Sequence, residues 1–483
     1  MGDEKAFDTT CGTGVVPSRW FERLNDGLPP HIARLKAAGD FDRATRLIDE
    51  ALAGGTTPEL AQVMLVEKDR MARIPHAYPF TCDQALEMVR REWPEFTRAQ
   101  LDELIDRKRI DWRYVGGKIR LIEDFLDSVR IYHTEVPGLA PNPPQDLAAR
   151  DAMLDEMREK GHAARRIVLH ATLEVADPEL DEQAGRASRV RVWLPLPRAC
   201  EQQSEIEILS TTPGAAIAPA DSLARTVYWE GSGLRKCEVT YSYLSCAPWH
   251  DVDALIGAER AMGEADLARA LAAPDVSAWL GEQEPHIVFT PYLRSLAARI
   301  VAQAGAVRPT EKARAVYEWV TNNIDYRYQP PYFLLDCIPQ MAATELRADC
   351  GVFALTFITL CRIAGVPARW QSGLYVRPDE ASGHDWAQFY SPAAGSWLWA
   401  DCSFGSAGRR TGDTRKHDHY FGNLDPWRMV ANGDFFAPLV PPVDGMRDDP
   451  FDNQRGEMTV DGVGITSDRL RRPVEVLSME TVD

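Results

Sequence analysis

The sequence predicts an α+β protein, with helices and antiparallel sheets in separate blocks along the chain. Three observations carry this. Residues 1–160 show apolar positions at helical spacing. Residues 164–247 break into short alternating segments divided by Gly, Pro, Asp and Ser. From 251 a group of helices leads to one cysteine-headed apolar helix and then to strands at about 368–376, 384–391 and 397–403.

In the first block, "HIARLKAAGDFDRATRLIDEAL" repeats apolar residues with a period near 3.6 and breaks at Gly39-Asp40. Thr81 with Gln84, and Thr97 with Gln100, each place a capping-box pair ahead of an amphipathic stretch. In "IDWRYVGGKIRLIEDF" the period becomes two on either side of Gly116-Gly117, the signature of a tight hairpin. Two helices and a hairpin resemble a small winged module. "PGLAPNPPQD" at 137–146 reads as a connection. In the second block, "RIVLHATLEVAD", "SRVRVWLPLPRA", "SEIEILST", "RTVYWEGS" and "RKCEVTYSYLSC" suggest an antiparallel β-sandwich of five to seven strands. The expected divisions are 1–160, a helical region with a hairpin; 161–250, the sandwich; 251–440, a catalytic domain; and 441–483, a tail.

Composition narrows the partners. The net charge of −18 argues against a nucleic-acid polyanion. No segment reaches the roughly 18 uninterrupted apolar residues of a membrane span. The N-terminus "MGDEKAFDTTCGTGVV" carries acids where a secretory signal has a basic patch. A cytoplasmic location without membrane attachment is therefore expected. Nine cysteines form no C-x-x-C pair, so zinc-ribbon and dithiol chemistry are not indicated. His417 and His419 have no third ligand nearby in sequence, and neither a metal nor an organic cofactor is expected.

The chemistry concentrates in "RADCGVFALTFITLCRIAGVPARW". Asp349 can cap a helix beginning at Cys350, and Gly365 with Pro367 can end it. Val352, Phe353, Leu355, Phe357, Ile358, Leu360 and Ile363 leave this helix no polar face, so it should be buried. Cys350 then stands in the first turn, where unpaired N–H groups favour a thiolate and can hold an oxyanion. Cys361, inside the run, reads as a core residue.

A thiol nucleophile needs a base, and the base needs an orienting acid. In "SGHDWAQFYSPAAGSWLWADCSFG" two alternating segments flank the four-residue loop Pro392–Gly395. If Ser391 faces Ser396, Trp386 faces Asp401 and His384 lies one diagonal step from Asp401 on the same face. Such neighbours are roughly 7–8 Å apart, within side-chain reach. A one-residue slip would separate them.

These stretches resemble the transglutaminase-like superfamily of papain-like cysteine enzymes. The resemblance spans about 285–440 and rests on "EKARAVYEWVTNNIDY", "CGVFALTFITLCRIAGVPAR", "HDWAQFY" and "WLWADCSFG". It implies a papain-like core with Cys350 as nucleophile, His384 as general base and Asp401 as its orienter. "VWLPLP" in the alternating block also resembles the sandwich that precedes this core in bacterial members. Ala348 and Gln388 depart from the family's usual glycine and glutamate. Tyr328, Trp386, Gln388, Tyr420 and Asn423 are the expected substrate contacts. The resemblance and the residues together point to a thiol hydrolase of amide or peptide bonds. A protein-glutamine acyltransferase and a non-catalytic interaction scaffold are the alternatives.

Overall fold

The computed structural model describes residues 25–138, 147–187, 189–443, 447–448 and 451–482. The acidic N-terminal stretch and most of the proline-rich connection lie outside them. Among the described residues no helix is long and apolar enough to cross a membrane.

Local sequence signals set the N-terminal elements. Helix Cys82–Glu92 starts in a capping box in which Gln84 N–H donates to Thr81 Oγ1 at 3.2 Å and Thr81 N–H to Gln84 Oε1 at 2.9 Å. Helix Arg98–Asp106 starts the same way from Thr97 and Gln100. Strands Trp112–Val115 and Lys118–Leu121 pair through Val115 and Lys118, and the turn sets Gly116 and Gly117 at φ 58° and 72°. Both angles are positive, which glycine adopts without a Cβ clash. Apolar residues of these elements, such as Val89, Leu101 and Leu121, join one buried cluster with Leu296, Val316 and Phe353 from after residue 290. The N-terminal elements therefore share a core with the cysteine helix.

The sheet beneath that helix has five antiparallel strands. Their order is Phe421–Gly422, Ser396–Ala400, Glu380–Ser391, Ala368–Arg377 and Arg428–Asn432. Ala387, Phe389, Leu398 and Ala400 all belong to the helix's buried cluster, and the rings of Phe357 and Phe389 lie 6.1 Å apart. Alternation along a strand then sends His384, Trp386 and Gln388 to the opposite face.

The alternating block folds into two further antiparallel sheets. One orders Val463–Gly464, Glu457–Val460, Val190–Pro195, Thr226–Gly231 and Ala216–Ile217. The other orders Leu470–Arg471, His162–Val175, Lys236–Pro248 and Gln203–Thr211, with Val474–Val482 also paired to His162–Val175. Leu169, Leu173, Val192, Leu194, Trp229 and Tyr241 from the two sheets share a core that Leu374, Val376 and Met429 of the cysteine-helix sheet also enter.

Residues after 440, which the sequence suggests are a tail, thus supply strands to both sheets. Their pattern hides this. Glu457–Val460 is buried throughout on a charged-to-apolar sequence, because Arg447 pairs Glu457 at 2.6 Å. A chain ending at residue 443 is expected to lose its cooperative thermal transition, since apolar residues of both sheets lose their cover. Differential scanning calorimetry checks this; a sharp transition at the full-length temperature would contradict the topology.

Candidate active site

Helix Cys350–Ile363 is held at its head by Asp349, whose side chain accepts from Val352 N–H at 3.1 Å. Tyr332 Oη donates to the same oxygen at 2.7 Å. The short parallel pairing of Asp325–Tyr326 with Arg347–Ala348 delivers the chain to this point and brings Tyr326 alongside. Gly351, the next residue, has no room for a side chain, because a Cβ there would collide with the Tyr332 hydroxyl and the Asp385 carboxylate. Everything from Gly351 to Arg362 is buried, while Cys350 itself is half-buried. The thiol thus stands at the mouth of a fixed helix.

On the sheet, Ser391 pairs with Ser396 and Ala387 with Ala400, the register that the hairpin loop predicts. His384 Nε2 lies 2.8 Å from Asp401 Oδ2. Asp401 has no exposed surface and also caps the following helix, accepting from Phe404 N–H at 3.0 Å. Its Oδ2 is shared with Arg428 Nη2 at 3.0 Å, and Arg428 in turn pairs with Asp425 at 2.7 Å. Arg428 is enclosed by the rings of Tyr375, Trp386, Phe404 and Tyr420, 4.7–5.8 Å away. Burial alone would raise the Asp401 pKa, but the His384 and Arg428 charges outweigh it and hold the carboxyl well below the usual range. With Asp401 ionised, Nε2 must carry the imidazole proton, which leaves the lone pair of a neutral ring on Nδ1.

The thiol itself is engaged elsewhere. Cys350 Sγ donates to Asp385 Oδ2 at 3.2 Å, and the Asp385 N–H points back at the sulfur. Sγ therefore sits against the peptide joining His384 and Asp385, and its hydrogen bond goes to the second of these rather than to the imidazole. The sequence predicts a stabilised thiolate; the structure corrects this. Burial, the Asp385 charge and the Asp349 charge push the thiol well above its usual pKa. The helix N-terminus acts in the other direction but is opposed by two adjacent carboxylates. Burial also pushes Asp349 up to about 7, against the hydrogen bonds from Tyr332 and Val352.

Of the expected substrate contacts, Tyr328 alone lies half-exposed, with its ring 5.4 Å from that of Tyr326. The other four are buried supports. Trp386 donates to Gln371 at 2.8 Å, Gln388 accepts from Arg369 at 2.8 Å, and Tyr420 donates to Asp425 at 2.8 Å. Asn423 clasps the His250 backbone, accepting at 2.6 Å and donating at 3.1 Å. Their polarity reflects internal pairing, which sequence cannot distinguish from ligand contact. Sequence reasoning missed Gln454 and Tyr332. Asp385 and Arg428 are legible as an acid beside His384 and a cation in the polar, aromatic stretch 415–432, but not in the pairings found here.

The family comparison bears on the same segment. The family model of the transglutaminase-like superfamily matches residues 294–402, which include Cys350, His384 and Asp401. The chain carries a transglutaminase-like core. Solved structures that resemble this protein include a candidate cysteine protease from Cytophaga hutchinsonii, at 14% identity and a TM-score of 0.39, covering 66% of this chain and 91% of that one. Another is the periplasmic domain of TgpA from Pseudomonas aeruginosa, at 14% identity and a TM-score of 0.26, covering 59% of this chain and 99% of that one. No functionally curated protein matches the sequence.

The buried network around this core should govern acid stability. The depressed Asp401 pKa contributes stability that is complete above its unfolded value of about 4 and is lost as pH falls below it. Arg428→Met is expected to cost about 3–5 kcal/mol at pH 7, because it leaves Asp401 and Asp425 buried without their shared cation. Urea unfolding at pH 7 and pH 3 tests both, with the variant's deficit shrinking at the lower pH.

Proposed function

We propose that the protein is a cysteine-dependent hydrolase of amide or peptide bonds, with Cys350 as nucleophile, His384 as general base and Asp401 as its orienter. The observation that carries this reading is the 2.8 Å His384–Asp401 pair, one residue along the strand from the contact that holds the thiol. Asp401 fixes the imidazole tautomer, so that Nδ1 is the basic nitrogen. The Cys350 proton passes to Nδ1 while Sγ bonds to the substrate carbonyl carbon. In this reading the helix's first N–H groups, ahead of the Val352 N–H that Asp349 takes, receive the oxyanion. His384 then gives its proton to the departing amine as the C–N bond breaks, and a thioester remains. Water, deprotonated by the same Nδ1, releases the acid and restores the thiol. None of these steps calls on a metal or an organic cofactor.

In this reading residues 251–440 form the catalytic unit, flanked by a β-sandwich built from 161–250 and the strands after 457. The helical N-terminal region supports it. A reducing, cytoplasmic setting is supported by the eight described cysteines, all free thiols. Hydrolysis is preferred over transfer to an amine because water reaches any thioester that a small substrate can reach. The net charge of −18 disfavours strongly anionic substrates.

Cys350→Ala is expected to abolish turnover of peptide amides without unfolding the protein, whereas Cys361→Ala should chiefly lower the melting temperature. Asp401→Asn should reduce kcat by about 10²–10⁴-fold, because it removes the acid that sets the base. Mass analysis of a trapped acyl-enzyme, released in water with millimolar primary amine, should give mainly the free acid. A dominant amine adduct would establish acyl transfer instead.

A further inference from the structure

Strand Glu380–Ser391 presents two titratable side chains to opposite faces at adjacent positions, and the Cys350 sulfur lies against the peptide between them. His384 takes one face, with Nε2 committed to Asp401 and no hydrogen bond at Nδ1 among the described residues. Asp385 takes the other face and is bonded to the thiol. The second carboxylate oxygen of Asp385 is held from outside the catalytic segment. Gln454 Nε2 donates to Asp385 Oδ1, and also to Asp452 Oδ2 at 3.0 Å. That contact is built into the backbone on both sides. Gly383 lies where a Cβ would run into Gln454 Oε1, and Gly351 lies where one would run into Asp385 Oδ2. On either side of Gln454 the chain is pinned, with Gly456 N–H donating to Asn453 Oδ1 at 2.8 Å and Asn432 Nδ2 donating to the Asn453 carbonyl at 3.2 Å.

We infer that Asp385, braced by Gln454, is a positioning residue that keeps the Cys350 thiol protonated and bonded on the face away from His384, so that the nucleophile is armed only when this contact is released. The inference rests on the reading of Cys350 as nucleophile. On release the thiol turns from Asp385 to the open Nδ1 of His384, and its proton goes there; Asp385 itself gains and loses none. The site is thus incomplete within residues 294–402. Its resting state depends on a segment some 50 residues further along the chain.

The other groups facing the sulfur define how this is read. On the helix it is Asp349, near pH 7, while His384 lies on the strand's other face. From the segment before the helix they are Tyr326, Tyr328 and Tyr332, all raised by burial and so neutral through the alkaline range used here. From the C-terminal segment they are Gln454 and, behind it, Asp452.

The test is the rate of Cys350 alkylation by iodoacetamide across pH 6–10 in the full chain, followed by mass analysis of the Cys350 peptide. It needs no substrate. Above about pH 8, where Asp349 is ionised throughout, Asp385→Asn should shift the profile down by about one pH unit or more, roughly a tenfold gain in rate below the thiol pKa. Gln454→Ala should shift it the same way by less, and it serves alone if Asp385→Asn does not fold by circular dichroism. Profiles of folded variants that superimpose on wild type, or that move upward, overturn the inference. A downward shift in a protein that hydrolyses no amide would uphold it while removing the hydrolase reading.

Discussion

Asp401 is the constraint on which the site depends. One buried carboxylate caps a helix, orients the His384 ring and pairs with Arg428, all with no exposed surface. A lone charge in that position would cost several kcal/mol. Arg428 offsets the cost and is itself satisfied by Asp425 and by an aromatic enclosure. The strands that carry these groups, 380–391 and 428–432, are the sheet's middle strand and its far edge. Moving either would unpair a buried charge, so the hairpin register and the sheet order are fixed together.

What the sequence discloses follows from how local each determinant is. The capping boxes at Thr81 and Thr97 and the Gly116-Gly117 turn are satisfied within four residues of themselves, and all three are found as predicted. The His384–Asp401 pair spans 17 residues, but a short hairpin loop reduces it to a question of strand parity. Asp349 as helix cap is equally local.

The rest depends on long-range partners. Arg428 follows Asp401 by 27 residues and reads in sequence as one of several cations in a polar stretch. Gln454 carries no motif at all, and its role exists only because the C-terminal strands bring it back to Asp385. Glu457–Val460 lacks an alternating pattern because both its faces are covered and its glutamate is paired with Arg447. The thiol's ionisation could not be read either. A helix N-terminus contributes a modest pull, whereas burial first, and then the Asp385 carboxylate brought in by the sheet together with Asp349, push the thiol the other way.

The interleaving of the two flanking sheets with residues 457–482 has a consequence for synthesis. A chain emerging from the ribosome can close neither sheet until those last strands are out, and Gln454 cannot reach Asp385 before they are in place. The cysteine helix, by contrast, has its cap and its supporting hairpin about 50 residues earlier. For that interval the nascent protein holds Cys350 on its capped helix with the Gln454–Asp385 contact still unmade. Until residues 452–482 have joined both sheets, the Asp385 side chain that holds the Cys350 thiol stands without the brace of Gln454 behind it.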